Sequence, residues 1–127
     1  MEMIQARIIR LKGIDLSEQL ADSCIKQAKN FGIDVKLFNG INGLESQAHF
    51  DKLNIRPLKK FKKGRPGVLG CFLSHYYLWK ECAESNQPYL ILEHDGWISK
   101  PLPADVLSQF EHVLKLDSLN QIGRAHV

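Results

Sequence analysis

The sequence of this 127-residue chain predicts an α/β layered domain, and three observations carry the prediction. Short apolar runs rich in β-branched residues alternate with longer stretches whose apolar positions recur every three or four residues. Gly, Asn and Pro fall where one period gives way to the other. The strongest run, Tyr89-Leu90-Ile91-Leu92, is apolar without alternation, the pattern of a strand covered on both faces of a parallel sheet.

The elements follow in order. Ala6 to Leu11 reads as a first strand, and Lys12-Gly13-Ile14 as a loop. Asp15 followed by Glu18 has the spacing of a capping box, so a helix starts there. Leu20, Ala21, Cys24, Ile25 and Ala28 recur at helical spacing, and Gly32 stands where a C-terminal cap belongs. Ile33, Val35 and Leu37 alternate as a second strand, and Asn39-Gly40 and Asn42-Gly43 mark turns. Glu45 to Leu58 carries only the trace of a short helix around Phe50 to Leu53. Gly64, Pro66, Gly67 and Gly70 read as loop-like, so the next helix is expected over Leu69 to Glu84. Cys71, His75, Leu78 and Cys82 share one face of it, and Phe72, Tyr76 and Trp79 widen the apolar stripe, which places Tyr76 and Trp79 in the core. Asn86-Gln87-Pro88 ends it, and the buried strand follows. A further helix over Pro103 to Phe110 and a short strand over Val113 to Leu116 complete the reading.

Composition narrows the class. The chain is 44% hydrophobic and 24% charged with a net charge of +3, which excludes a disordered chain. No apolar run approaches the roughly 20 residues of a spanning helix. Met1-Glu2-Met3 opens no basic-then-apolar leader, so the expected location is cytoplasmic. The three cysteines, Cys24, Cys71 and Cys82, form no CxxC. On one helix Cys71 and Cys82 would stand about 16 Å apart, too far for a disulfide. All three are read as reduced and mostly buried. Arg56, Lys59, Lys60, Lys62, Lys63 and Arg65 place six of the 17 basic residues within ten positions that hold no acid. That run is a solvated loop, a phosphate-binding loop or a nucleic-acid patch.

Ligands bind open parallel sheets at the carboxyl ends of the strands. The strongest such end here is Leu92-Glu93-His94-Asp95-Gly96. By the period of a strand, Glu93 and Asp95 point to one side and His94 to the other. Two carboxylates at a sheet rim suit a hard divalent cation shared with phosphates. The plainer reading has Glu93 as a half-buried hydrogen-bonding group and Asp95 capping a turn with Gly96. Cys71, His75 and Cys82 offer zinc-ligand types, but Cys82 lies two further turns along and no fourth ligand is evident.

Gly70-Cys71-Phe72-Leu73-Ser74-His75 with Leu78-Trp79, then Leu90-Ile91-Leu92-Glu93-His94-Asp95, resembles glycosyltransferase family 25, which includes lipopolysaccharide-type sugar transferases and collagen galactosyltransferases. The family pattern runs G-C-x-x-S-H, a helix with L-W, and a strand ending L-E-D-D. Leu11, the Asp15 helix, Gly32-Ile33 and Asn42-Gly43 are similar to its first half, so the resemblance covers residues 4 to 117. It implies a GT-A-like nucleotide-binding sandwich, a Rossmann-like mixed sheet with flanking helices, here truncated. It implies an enzyme that moves a sugar from a nucleotide-sugar donor, a UDP-sugar foremost, to the hydroxyl of a glycan or other acceptor, as in lipopolysaccharide synthesis. Glu93, His94 and Asp95 fall on its acidic metal motif, with Mn²⁺ or Mg²⁺ as cofactor. His94 stands where the family usually has aspartate, and a neutral imidazole suits Mn²⁺ better than Mg²⁺. The family's arginine-rich first loop is here Lys12-Gly13-Ile14-Asp15, which leaves donor contacts to backbone, Arg10 or Lys12. Ser74, His75, Lys60, Lys63 and the stacking candidate Trp97 complete the expected donor-binding set.

Two other functions compete: a sugar-nucleotide-binding homologue without catalysis, and a small basic nucleic-acid-binding domain. The second would interleave aromatics with its basic residues, and only Phe61 does so. A last expectation concerns the end of the chain. Ile122-Gly123-Arg124-Ala125-His126-Val127 can be encoded by ATC GGA AGA GCA CAC GTC, which resembles a common short-read sequencing adapter, and the preceding adapter bases AG would complete a CAG codon for Gln121. Residues 1–120 are thus expected to be the N-terminal part of the transferase domain and 121–127 a non-native tail. The catalytic base would then lie in a C-terminal half outside this chain, which would be inactive alone.

Overall fold

The computed structural model describes residues 4–57, 65–114 and 116. Three parallel strands carry the architecture: β1 (Gln5–Arg10), β2 (Val35–Asn39) and β3 (Tyr89–Glu93). Their order is β2-β1-β3, so the earliest strand is central. Ala6 pairs with Val35 on one side and with Leu90 on the other, and Ile9 pairs with Phe38 and Glu93. The three carboxyl ends, Arg10, Asn39 and Glu93, therefore lie side by side.

Helix α1 (Asp15–Lys29) joins β1 to β2 and covers one sheet face. Its inward positions are Ser17, Ala21, Cys24 and Ala28, all small, which lets the helix approach Ala6, Ile8 and Val35 closely. Ile8, Ala21, Cys24 and Ala28 are fully buried at 0% exposure. The capping box does not form at its expected position. Ile14 is the N-cap, and Glu18 reaches back to accept the Gly13 N–H at 3.3 Å. Asp15 lies in the first turn, where its charge favours the helix dipole. The C-terminus closes as expected. Gly32 adopts φ +72°, its N–H reaches Lys29 O, and the Ile33 N–H reaches Ala28 O, the paired bonds of a Schellman motif.

Past β2, a 3₁₀ turn (Gly43–Glu45) leads into α2 (Ser46–Leu53), a longer helical region than the sequence suggested. Helix α3 (Pro66–Ser85) also begins earlier than Leu69. Proline at its first position costs no hydrogen bond, so the Pro66-Gly67 pair starts the helix instead of preceding it. Gly70 sits inside α3 because the helix crosses residues 41–43 there: a Cβ would come within 2.6 Å of Ile41 O and 2.8 Å of the Gly43 nitrogen. A Cβ on Gly43 would likewise collide with the Pro66 backbone.

The buried face of α3 is Leu69, Gly70, Leu73, Ser74 and Leu78, which corrects the expected stripe. Of the residues assigned to that stripe only Leu78 is buried; Phe72 is 41% and Trp79 52% exposed. Leu69 and Leu73 pack on Phe50 of α2 in a second small core. The helix face is set by the crossing at Gly70 and the contact with α2, and neither leaves a mark on helical periodicity. Cysteine burial is corrected too: all three are free, but Cys71 is exposed, Cys82 half-buried, and only Cys24 buried.

Strand β3 is partly exposed, not covered on both faces, and among the described residues it pairs with β1 alone. Leu90 and Leu92 join the α1 core. The opposite sheet face meets α3, where Arg7 Nε lies 3.4 Å from Glu81 Oε2 and the Tyr89 hydroxyl donates to the same carboxylate at 2.7 Å. After β3 the chain returns over α1: the Ile98 N–H donates to Gln27 Oε1 and Ile98 enters the core. The helix expected over Pro103 to Phe110 is a 3₁₀ turn, Val106–Gln109. Val113, Leu114 and Leu116 form no strand, and Val113 is 61% exposed. The greater part of the basic run and residues 117–127 lie outside the described residues.

Candidate functional site

The carboxyl edge of the sheet gathers the chemistry. Arg10 ends β1, and its Nη2 donates to Asn39 Oδ1 at 2.8 Å across the paired strand ends. Its Nε is buried and has no hydrogen-bond partner among the described residues. A guanidinium with an unspent donor at this rim is suited to an anionic oxygen.

The acidic segment divides at the rim, as strand alternation requires. Glu93, the last residue of β3, faces α3, while His94 faces α1. Cys71 Sγ donates to Glu93 Oε1 at 3.5 Å, and His75 Nε2 lies 3.9 Å from the same oxygen. Desolvation, and after it the neighbouring Glu93 carboxylate, push the Cys71 thiol above its ordinary pKa. His94 Nδ1 lies 2.8 Å from Ser17 Oγ, which also accepts the Leu11 N–H at 2.8 Å. Ser17 is only 1% exposed, so this hydroxyl ties the end of β1, the start of α1 and the acidic turn together. Asp95 follows in a turn closed by the Gly96 N–H on Glu93 O at 2.8 Å. Strand alternation stops there, and Asp95 is exposed.

Glu93, His94 and Asp95 thus have three different surroundings and do not converge on one point with their side-chain bonds as they stand. Ser74 is structural: it is 1% exposed, donates to Gly70 O at 2.8 Å and accepts the Ile41 N–H at 2.9 Å, so both bonding directions are spent on the corner between β2 and α3. His75 is half-buried, with its ring 6.0 Å from that of Trp79. Lys12 is exposed beside the β1 end, and Trp97 is 64% exposed just past the acidic turn. Lys60 and Lys63 lie outside the described residues; Arg56 and Arg65, which flank the segment, are exposed. Cys82 is not part of any ligand set here, because its thiol donates to Gln87 O at 3.1 Å.

Sequence reasoning missed Ser17 and the meeting of Cys71 with Glu93. A signal for the first existed: Ser17 continues the inward row Ala21, Cys24, Ala28 at its amino end, and a polar residue there must face the strand rim. The second could not be read without knowing which face of α3 meets the sheet.

A parallel α/β unit with charged and polar side chains collected at the carboxyl ends of its strands has the architecture of the open-sheet class, in which ligands bind at that edge. Within that class the chain belongs to glycosyltransferase family 25: the profile described as Glycosyltransferase family 25 (LPS biosynthesis protein) matches residues 8–125. Procollagen galactosyltransferase 1-B of Xenopus laevis is 39% identical over 71 residues, which is 50% of this chain and 12% of that protein. Procollagen galactosyltransferase 1-A of the same organism is 43% identical over 61 residues, 42% of this chain and 10% of its own length. A glycosyltransferase 25 family member of Aedes aegypti is 39% identical over 84 residues, 55% of this chain and 13% of its own. The chain therefore spans only a small fraction of the length of these relatives. No solved structure matches it.

Proposed function

We propose that this chain forms the donor-binding edge of a GT-A-type glycosyltransferase, which moves a sugar from a nucleotide diphosphate onto an acceptor hydroxyl. The observation that carries the reading is the rim itself: Arg10, with Nε buried and unpartnered among the described residues, stands beside an acidic turn in a chain of family 25. Breaking the glycosidic bond leaves negative charge on the departing diphosphate. Arg10 supplies a fixed guanidinium for that charge, and Lys12 adds a mobile ammonium beside it. The names of the Xenopus relatives give galactose as the sugar they transfer and procollagen as what they act on; for this chain the reading takes UDP-galactose as donor and a glycan or protein hydroxyl as acceptor.

A divalent cation fits the turn in a limited way. Mg²⁺ and Mn²⁺ are commonly held by one or two carboxylates together with substrate phosphates, and exposed Asp95 offers such a carboxylate. His94 has Nε2 to offer when its Nδ1–H donates to Ser17. Bound there, the cation would act as a Lewis acid toward the diphosphate. Ser17 orients His94, and exposed Trp97 presents a flat apolar face for a sugar or base.

Calorimetric titration of the chain with UDP-galactose, with and without Mn²⁺, tests the reading. The expected result is binding that Arg10→Ala weakens at least about tenfold, the loss of one charge-assisted bond, and an Mn²⁺-dependent increment that disappears in Asp95→Asn. Absence of nucleotide-sugar binding, alongside oligonucleotide binding with a steep salt dependence, would replace it with a nucleic-acid role. Binding without turnover would make it a non-catalytic homologue.

A further inference from the structure

One cluster outside that diphosphate edge combines sulfur, nitrogen and oxygen donors. Cys71 and His75 lie one turn apart on α3, the spacing that brings two side chains over a common point. Glu93 ends β3 with its carboxylate on the same sheet face. The sulfur of Cys71, a ring nitrogen of His75 and a carboxylate oxygen of Glu93 all lie within 4.8 Å of one another. The separations to Glu93 Oε1 are 3.5 Å from Cys71 Sγ and 3.9 Å from His75 Nε2. With metal–sulfur bonds of about 2.3 Å and metal–nitrogen and metal–oxygen bonds of about 2.0 Å, the ligand atoms of a tetrahedral zinc site stand roughly 3.3–3.6 Å apart. The side chains need to close by at most about 1.5 Å, within the reach of rotamer adjustments at a half-exposed surface.

We propose that Cys71, His75 and Glu93 bind a thiophilic divalent cation, zinc above all, as three protein ligands with the fourth position open to water or an incoming oxygen ligand. The donor set selects the metal class: a thiolate and an imidazole favour zinc or cobalt, and Mg²⁺ takes neither readily. Electrostatics act in the same direction. Binding would release to solvent the proton that the Cys71 thiol now donates to Glu93, and a cation between the resulting thiolate and the carboxylate converts their repulsion into ligation. Asp95 and His94 take no part, so the site goes beyond the transferase reading and does not depend on it. Of its ligands, Glu93 falls on the acidic motif and His75 in the donor-binding set that the family resemblance implies; a cation here would hold both on the α3 side of the sheet.

Cobalt titration of the metal-free full chain is the direct test. One equivalent should produce a thiolate-to-cobalt charge-transfer band in the near ultraviolet and the intense visible bands of four-coordinate cobalt, and zinc should displace it. Cys71→Ser should remove the charge-transfer band. His75→Ala and Glu93→Gln should each weaken zinc by more than the roughly tenfold that loss of an outer-shell partner costs. Cys82→Ser should leave spectrum and affinity unchanged. Zinc should also block alkylation of Cys71 in the unsubstituted chain but not of Cys82, as read by peptide mapping, a result independent of how any variant folds. A missing band, a band that survives Cys71→Ser, or unchanged zinc affinity in Glu93→Gln overturns the site. UDP-galactose titration of the same samples reports separately on the transferase reading.

Discussion

Substituting alanine at two glycines of α3 should change stability in opposite directions. Gly67 and Gly70 lie in the same helix, and elementary helix propensity favours alanine over glycine by up to about 1 kcal/mol at each. At Gly67 an added Cβ meets nothing within 4 Å among the described residues, so Gly67→Ala should stabilise the chain by a few tenths to about 1 kcal/mol. At Gly70 the Cβ falls 2.6 Å from Ile41 O, and ordinary contact begins at 3.4 Å, so the 41–43 segment would have to retreat by about 0.8 Å. That segment is held by the Ile41 N–H on Ser74 Oγ at 2.9 Å, a bond such a retreat would break. Overpacking costs about 1–3 kcal/mol and the lost bond about 0.5–1.5 kcal/mol, against a propensity gain of about 1 kcal/mol. Gly70→Ala should therefore destabilise by about 1–3 kcal/mol. With m of about 1–3 kcal/mol/M in urea, its unfolding midpoint should drop by roughly 0.3–3 M, while that of Gly67→Ala holds or rises. Equal shifts of the same sign in the two variants would refute the close crossing of α3 over residues 41–43. The crossing bears on the proposed cation site because it sets the height of Cys71 and His75 relative to Glu93.

Three further outcomes are expected. In the metal-free chain the Cys71 thiol, raised above its ordinary value by desolvation and Glu93, should alkylate slowly at neutral pH and faster as pH rises; Glu93→Gln removes the second cause and should speed the neutral-pH rate several-fold, and an unchanged rate would place Glu93 away from the thiol. Ser17→Ala leaves the Leu11 N–H without its acceptor and frees His94, so stability should fall by about 1–3 kcal/mol and the His94 ring-nitrogen NMR shifts should move; a change below about 0.5 kcal/mol contradicts the three-way tie. Burial raises the Cys24 thiol above its reference of 9.0, so the folded chain keeps a proton that the unfolded chain loses. Its stabilising contribution is complete below that reference and is lost as pH climbs through the folded value; the urea midpoint should fall in alkali, less steeply in Cys24→Ala, with Cys71 and Tyr89 acting in the same direction.

The sequence by itself determined the alternation of strand and helix, the parallel strands, the start of α1 at Asp15 and its closure at Gly32, because each rests on neighbours within about one turn of chain. It also placed Glu93 and His94 on opposite sides of the sheet, since strand alternation is local. The G-C-x-x-S-H and L-I-L-E-x-D segments carried the family resemblance that the match over residues 8–125 bears out. Tertiary structure decided the rest. Pro66-Gly67 reads as a breaker from local chemistry, yet it opens α3, because proline is free at a first turn. Gly70 reads as a loop residue, yet it is a helical position stripped of its side chain so that another backbone can pass. That crossing turns Leu69, Leu73 and Leu78 inward and leaves Cys71, Phe72 and Trp79 outward, against the stripe read from spacing. Glu93 meets Cys71 across 22 residues and His94 meets Ser17 across 77. Separations of that length leave no periodic trace in a sequence, because they depend on which helix covers which sheet face and how closely it can approach.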